Sequence, residues 1–495
     1  RGPMAFWSRR KSIDDLANRD APDRLKPTLS AWHLVLLGVG AIVGTGIYTL
    51  IGVGADKAGP AVMLSFVIAG AVCACAALAY AELATMMPAS GSAYTYSYAS
   101  MGELIAWIVG WALILEYTVV CSAVAVGWSG YAVGFLHGIG VDLPAAISSG
   151  PSPEGLAHLF AKIGIHLPAT AVTASGIINL PAIVIIIAVA CLLLVGTRES
   201  ANINSALVLV KIAALAAFVL IALPRFNPAH FTPFMPNGFL PVNERGVMAA
   251  AAIIFFAFYG FDAVSTAAEE TKDPGKNLSI GIVGSMIICT VIYMAVAAAA
   301  IGAIKVGDFA KSSEPLSYIL RTLGHPGAAG LIAGAAVVAL PTVILAFMYG
   351  QSRIFFVMAR DGLLPRRLGH VSKRGAPVAM TIVTAVVCSV IAGFLPLADI
   401  AALANAGTLA AFIATSIALM VLRRREPARA RPFRTPIAWV VAPAAILGCG
   451  YLFYSLPGVT RLLFFCWMAI GLLVYFLFAA RNSEMAKNPA PAAAE

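Results

Sequence analysis

Twelve stretches of this 495-residue chain run for about 20 residues or more with few or no charged side chains. They lie at 32–54, 60–86, 102–136, 177–196, 202–223, 247–268, 278–303, 328–352, 378–397, 399–422, 436–456 and 460–480. A run of that length crosses the roughly 30 Å hydrocarbon core of a bilayer as one helix. Inside lipid every backbone N–H and C=O must find its partner within the protein, which leaves helices and closed barrels. Continuous apolar runs without alternation select the helix. The chain therefore reads as an all-α integral membrane protein with 12 transmembrane helices. Composition agrees: 11% of residues are charged, against about 25% in a soluble domain. The third run is long enough to tilt or to protrude.

The charges fall between the runs and set an orientation. With the N-terminus placed in the cytoplasm, 24 of the 33 Lys and Arg residues fall on the cytoplasmic side, 8 outside and 1 within a span. Cytoplasmic loops carry such an excess. Both termini are thus expected in the cytoplasm, with residues 1–31 and 481–495 as cytoplasmic segments, in a multi-pass protein of the cell (inner) membrane. Residues 1–31 are polar and basic, so no cleavable signal peptide is expected. The clusters Arg366–Arg367–Lys373–Arg374 and Arg423–Arg424–Arg425 serve as inward anchors. The net charge of +10 then reports topology, and no nucleic-acid partner is implied. The linker 137–176 is rich in Pro, Gly and Ser and reads as an external loop. All eight cysteines lie in apolar runs and read as small hydrophobes. No Cys/His spacing marks a metal site, and His33 and His137 sit near span ends as interfacial residues. With no nucleophilic arrangement on one face and no nucleotide-binding domain, neither an enzyme nor an ATP-driven pump is expected.

The first run contains LGVGAIVGTGIY at 37–48, with Gly38, Gly40, Gly44 and Gly46 within nine residues. Glycine costs a helix interior about 0.5–1 kcal/mol relative to alanine. A dinucleotide loop needs GxGxxG after a soluble strand, and this spacing inside a span excludes it. Two readings remain. Gly40-Ala-Ile-Val-Gly44 is a GxxxG packing motif. Alternatively the helix breaks here, which lipid permits only where the backbone is buried or lines a cavity. Composition alone favours packing. The sixth run shifts the balance: in FFAFYGFDAVSTAAEE (255–270) a lone Gly260 sits among aromatics, followed by Asp262. If the first ten spans form two halves of five, runs 1 and 6 correspond. Glycine-interrupted spans at matching positions point to a transporter binding site.

These segments also resemble a known family. LGVGAIVGTGIY (37–48), PASGSAYTYSYASMGELIAWIVGWALILEY (88–117), GTRESANINS (196–205), FFAFYGFDAVSTAAEETKDPGKNLSIGI (255–282) and MYGQSRIFFVMARDGLLP (348–365) are similar, in this order, to the cationic amino acid transporter family of the amino acid–polyamine–organocation superfamily. The resemblance implies a LeuT-like 5+5 inverted repeat. Its first half would be 32–223, its second 247–422, with two more helices at 436–480. It implies that span 1 unwinds near Gly44–Gly46. The N–H groups of Ile42, Val43, Gly44, Thr45 and Gly46 would meet a substrate carboxylate. The carbonyls of Phe256, Ala257 and Tyr259 would meet its ammonium, with Phe256 as a lid.

Ionisable residues inside the runs are functional hypotheses by default. Lys211 lies about nine residues into the fifth run, roughly 13 Å at 1.5 Å per residue; snorkelling is the plain alternative. Relatives that use no sodium carry a lysine at this position, where its ammonium can donate to carbonyls near Gly40–Val43. A buried lysine can change protonation during a cycle, so a proton is the expected coupling ion and no other cofactor is implied. Glu116, in the LEY segment, is a second candidate for proton coupling, substrate contact or helix bracing. Asp262, Glu269 and Glu270 read as gate or loop ion pairs with Lys272 and Arg198. Glu82 and Glu103 read as span-end residues in contact with water. Arg353, Arg360 and Asp361 read as anchoring.

The function expected is secondary transport of L-amino acids, as proton-coupled import of small neutral substrates such as alanine. Ile344 and Phe347 in span 8 are apolar and offer no partner for a cationic side chain, although Glu116 could. The alternatives are a cationic amino acid or polyamine exchanger and, in another class, a membrane amino acid receptor without coupled transport. A channel would need rings of charge or a polar pore stripe, which these runs lack. The partners implied are the L-amino acid and membrane lipid, with no required protein partner.

Overall fold

The computed structural model describes residues 9–17, 29–89, 91–151, 176–195, 201–268, 271–365 and 378–487. Arg198, Glu269, Glu270 and the 366–374 basic cluster lie outside the described residues, as do most of the 137–176 linker and the ends of the chain. So does the side chain of Arg353. Among the described residues there is no strand beyond isolated bridges. Among the described residues eight helices are long and apolar enough to cross a membrane, and four shorter apolar helices accompany them. This is an all-α, multi-pass membrane protein.

Each of the twelve apolar runs has a helical counterpart. Span 2 is Val62–Met86, span 3 Glu103–Gly138, span 4 Leu180–Val195 and span 5 Ala201–Ala222. Span 7 is Pro274–Ala303, and span 8 consists of Pro326–Ala339 and Pro341–Arg360. Val378–Phe394, Leu397–Arg425, Ala438–Tyr454 and Gly458–Val474 are spans 9 to 12. Span 3, with 36 residues, is about 54 Å long at 1.5 Å per residue. It packs along spans 8, 9 and 10. Span 7 lies along spans 1 and 2. The first and sixth spans alone depart from this pattern of near-continuous helices. Span 1 is split into 1a (Ala31–Ile42) and 1b (Thr45–Tyr48 with Leu50–Ala58). Span 6 is split into 6a (Val247–Ile254 with the 3-10 turn Phe255–Ala257) and 6b (Phe261–Thr266).

The face that carries both termini is closed by buried carboxylates, which the sequence led us to place in water. Glu82 is fully buried and takes the Arg423 guanidinium in two bonds of 2.8 and 2.6 Å, the Thr435 N–H at 2.7 Å and an ion pair with Arg431. Glu103, also fully buried, accepts from Arg9 at 2.9 Å, from Tyr98 and Tyr475 at 3.0 Å each, and from Ser483 at 2.5 Å. Asp361 is gripped by Lys11 at 2.6 Å and by the Tyr94 hydroxyl at 2.6 Å, so it does more than anchor. Each carboxylate ends a span, but its partners come from distant segments that bury it. His33 caps the start of 1a, its Nδ1 2.7 Å from the Ser30 hydroxyl, and His137 pairs with Asp142 on the opposite face. The eight cysteines are free thiols.

Candidate functional site

The two broken spans cross, and their glycines make the crossing possible. A Cβ on Gly46 would sit 2.3 Å from the Ala257 Cα, inside the backbone of span 6. Gly260, with φ +124°, would bring a Cβ 2.9 Å from the Ala41 carbonyl carbon. Each broken span thus receives the other span's backbone where only a hydrogen fits. Gly38 does a separate job, packing on Ser285 of span 7. The helix does break, and the close packing falls to Gly38 and Gly46 rather than to the Gly40–Gly44 pair expected, since a Cβ on Gly44 would meet Val343 at an ordinary 3.5 Å. The interruption falls at Val43–Gly44, and helix resumes at Thr45. It lies slightly earlier than the Gly44–Gly46 expected, because Gly46 is needed for close packing while in helical conformation.

The break leaves donors on one side and acceptors on the other. The N–H groups of Gly44, Thr45 and Gly46 have no partner among the described hydrogen bonds, as the first turn of a helix dictates. Opposite them, the carbonyls of Phe256, Ala257 and Tyr259 accept none. A small recess opens between the two sets. Ala41, Ile42, Gly44, Thr45 and Gly46 line it from span 1, and Phe256 and Tyr259 from span 6. Val120 and Val124 of span 3 and Val343 and Phe347 of span 8 complete it. Its empty volume is about 240 Å³, the opening included. Of the residues expected there, Val43 and Ala257 are buried beside the recess without lining it. In span 8 the lining falls to Val343 and Phe347, and Ile344 turns away into the core. Phe256 is 6% exposed and meets Tyr259 edge to face at 5.2 Å.

Sequence reading missed the valines. Val120 and Val124 are one turn apart on span 3 and continue the face of Glu116 by i+4 steps, which is the one signal that could have found them. Glu116 is buried, and neither of its carboxylate oxygens reaches a hydrogen-bond partner; the Thr408 hydroxyl is the polar group beside it. The Tyr259 hydroxyl is likewise buried without a partner. Asp262 is no ion-pair member among the described residues. It accepts from the Tyr117 hydroxyl at 3.0 Å and from the Gly260 N–H at 3.1 Å, closing the turn of its own break.

Lys211 is fully buried on span 5, and its ammonium donates to the Gly40 carbonyl at 3.0 Å. It is held inside the bundle rather than snorkelling to a surface. Another carbonyl at the end of 1a, that of Ile42, receives the Tyr293 hydroxyl from span 7 at 2.8 Å. The end of 1a is therefore capped by side chains from two neighbouring spans. Among the described residues no group of three or more His, Cys, Asp or Glu could hold a metal ion.

Comparison with known proteins decides what kind of molecule carries this site. The model of the amino acid permease family matches residues 29–482. The chain belongs to that family. The permease is 43% identical over 480 residues, 96% of its length and 98% of the relative's, to a branched-chain amino acid permease of Bacillus subtilis. It is 41% identical over 488 residues to a methylthioribose transporter of the same organism, covering 98% of this chain and 100% of the other. It is 34% identical over 424 residues to the vacuolar cationic amino acid transporter 4 of Arabidopsis thaliana, covering 85% and 67%. A permease carries its substrate across the membrane unchanged, and the crossing of its broken spans is where unpaired backbone donors and acceptors meet.

Proposed function

We propose that this permease imports small neutral L-amino acids, alanine among them, together with protons. One observation carries the reading: N–H groups at Gly44, Thr45 and Gly46 and carbonyls at Phe256 and Tyr259, without partners among the described hydrogen bonds, belong to residues lining one recess whose other walls include Val and Phe. An α-carboxylate fits the helix N-terminus, where the dipole and unpaired N–H groups favour an anion. An α-ammonium fits the carbonyls. The valines and Phe347 suit a short apolar side chain, and the relative named for branched-chain amino acids supports a neutral substrate over a cationic one. Spans 1–5 and 6–10 are read as the two inverted repeats, with the termini in the cytoplasm.

Proton coupling rests on Lys211 and, second, on Glu116. Charged, Lys211 grips the end of 1a by a charge-assisted bond, about twice as strong as a neutral one. Loss of its proton to the cytoplasm weakens that grip and lets 1a swing open. Glu116, buried on the face of span 3 that continues to Val120 and without a hydrogen-bond partner among the described residues, is a second group that could carry a proton.

The relative named for methylthioribose supports a second reading, a neutral polar solute without a carboxylate. The test is uptake of radiolabelled alanine into proteoliposomes with the outside acidified, with and without sodium. Alanine amide and methylthioribose serve as competitors. Gradient-driven accumulation without sodium, competed by neutral amino acids and not by the amide, supports the proposal. Equal competition by the amide removes the carboxylate site, and competition by methylthioribose alone supports the second reading.

A further inference from the structure

Lys211 has a second contact with span 1 besides its grip on 1a. Its own backbone carbonyl accepts the hydroxyl of Tyr48 at 3.2 Å, and Tyr48 belongs to 1b. Gly40 and Tyr48 lie on opposite sides of the break at Val43–Gly44, so one residue of span 5 holds both halves of span 1. The chain of contacts continues. The Tyr131 hydroxyl of span 3 donates to the Tyr48 carbonyl at 2.5 Å, and the two rings meet edge to face at 5.6 Å. Tyr48 and Tyr131 are fully buried.

We propose that Tyr48 is a positioning residue for the Lys211 switch: it fixes the turn of span 5 on which Lys211 rides to 1b, and Tyr131 fixes 1b in turn to span 3. The two links of Lys211 differ in kind. The link to 1a runs through the ammonium and changes with its proton. The link to 1b runs through a peptide carbonyl and does not. Span 5 therefore stays with 1b, and through Tyr131 with span 3, while 1a is held or released. Among the described residues, Cys289 of span 7 acts electrostatically on the ammonium, Tyr48 of span 1 bonds the carbonyl of the same residue, and Tyr293 of span 7 reaches a neighbouring carbonyl of 1a. Of these, Tyr293 already donates to Ile42 and braces 1a independently. Without the Tyr48 hydroxyl, the lysine's turn is free to follow 1a, and protonation no longer translates into movement of one half against the other.

This inference rests on the proton-coupled reading above, and the experiment separates the two. Accumulation of alanine under an imposed pH gradient, and counterflow at equal pH, are measured for wild type, Lys211→Ala, Tyr48→Phe and Tyr131→Phe. Phenylalanine keeps the ring contact and deletes the donor. The expected result for Tyr48→Phe is a loss of gradient-driven accumulation of between about 2- and 10-fold, the range spanned by one net hydrogen bond. Counterflow KM should stay near wild type. Tyr131→Phe should show a smaller loss of the same kind, and it decides the matter if Tyr48→Phe is not recovered folded. If wild type does not respond to the gradient, the proton reading itself fails; if Lys211→Ala responds as wild type does, Lys211 is not the switch and the positioning role falls with it. If Lys211→Ala loses the response while both tyrosine variants keep it, the positioning role is overturned. It is equally overturned if the tyrosine variants lose counterflow and gradient response in the same proportion, since that is a general packing defect.

Discussion

The two broken spans solve the same problem in different ways. Span 6 is wired partly from within. Asp262 takes the N–H of Gly260 two residues before it, while Tyr117 of span 3 donates to the same carboxylate and the rings of Phe412 on span 10 and Tyr293 on span 7 brace Phe255 and Phe258 at 5.7 and 5.2 Å. Span 1 is held from without, by Lys211, Tyr293 and Tyr131 reaching in from three other spans. The Gly260–Asp262 bond lies inside one turn and stays with it whatever the neighbours do. The hold on 1a includes an ammonium from another span, so a change of charge there can loosen it. Span 1 is thus the half whose hold depends on a titratable side chain, and the substitutions below probe that difference.

The largest effect is expected at the glycines. Gly46→Val and Gly260→Ala should abolish recovery of folded, monodisperse protein, since both place atoms inside facing backbone. Gly44 differs. A Cβ there meets the Val343 side chain at an ordinary 3.5 Å, so Gly44→Ala should fold and lose alanine binding, measured by scintillation proximity. A well-behaved Gly46→Val would show that the crossing is looser than drawn.

Next in size is Lys211→Arg. Guanidinium stays protonated throughout, so the external brace on span 1 becomes permanent. Gradient-driven accumulation should fall at least about 10-fold, the response to roughly 1.4 kcal/mol of lost coupling, while binding persists. An arginine variant that accumulates alanine as wild type does would reduce Lys211 to a structural donor.

Asp262→Asn tests the span wired partly from within. One of the two donors onto the carboxylate would lose its acceptor, at a cost of about 1–3 kcal/mol. The melting temperature in detergent should drop. The shape of the pH dependence of uptake should not change, because span 6 is not the part that responds. A flattened pH profile would erase the contrast between the two spans.

The smallest effect is expected at Glu314, in the loop between spans 7 and 8. Its carboxylate packs on Gly134 of span 3 and pairs with Arg321. Burial raises its pKa above the ordinary value, with Arg321 opposing. The folded state therefore keeps this proton to higher pH than the unfolded chain does. The stability it adds is present at acid pH and declines as pH rises through the folded value. Glu314→Gln should remove that decline and raise stability at pH 7.5 relative to pH 4.5, by no more than about 1 kcal/mol. Uptake should keep its pH response, which places the sensor at span 1 and not at this loop. A flat response in this variant would move it.

The sequence disclosed what stands out against an apolar background. The spans were legible because hydrophobic runs leave the chain no other structure in lipid. The breaks were legible to within about two residues because glycine is costly in a helix, and Lys211 because a cation among leucines is rare. Val120, Val124 and Val343 were not, since a valine lining a recess is spelled like one facing lipid. Glu82 and Glu103 were misread for a different reason. Their positions say span end, but the groups that bury them are 341 and 94 residues away, and no local pattern reports such a partner. The tyrosine links were hidden in the same way: each hydroxyl meets a backbone carbonyl, which leaves no complementary side chain to notice.

Glu103 gives the molecule a check on its own completion. The Ser483 hydroxyl that reaches it lies 380 residues further along the chain, and the Tyr475 hydroxyl 372. At 5–20 residues per second, span 3 would be in the bilayer for roughly 20–75 s before those donors are synthesised. During that time the carboxylate has only water, Arg9 and Tyr98 among the partners described above. Dry burial of the end of span 3 becomes possible only once the last span has arrived. A ribosome that stops early thus leaves a product with an open, hydrated seam, and a full-length chain closes it.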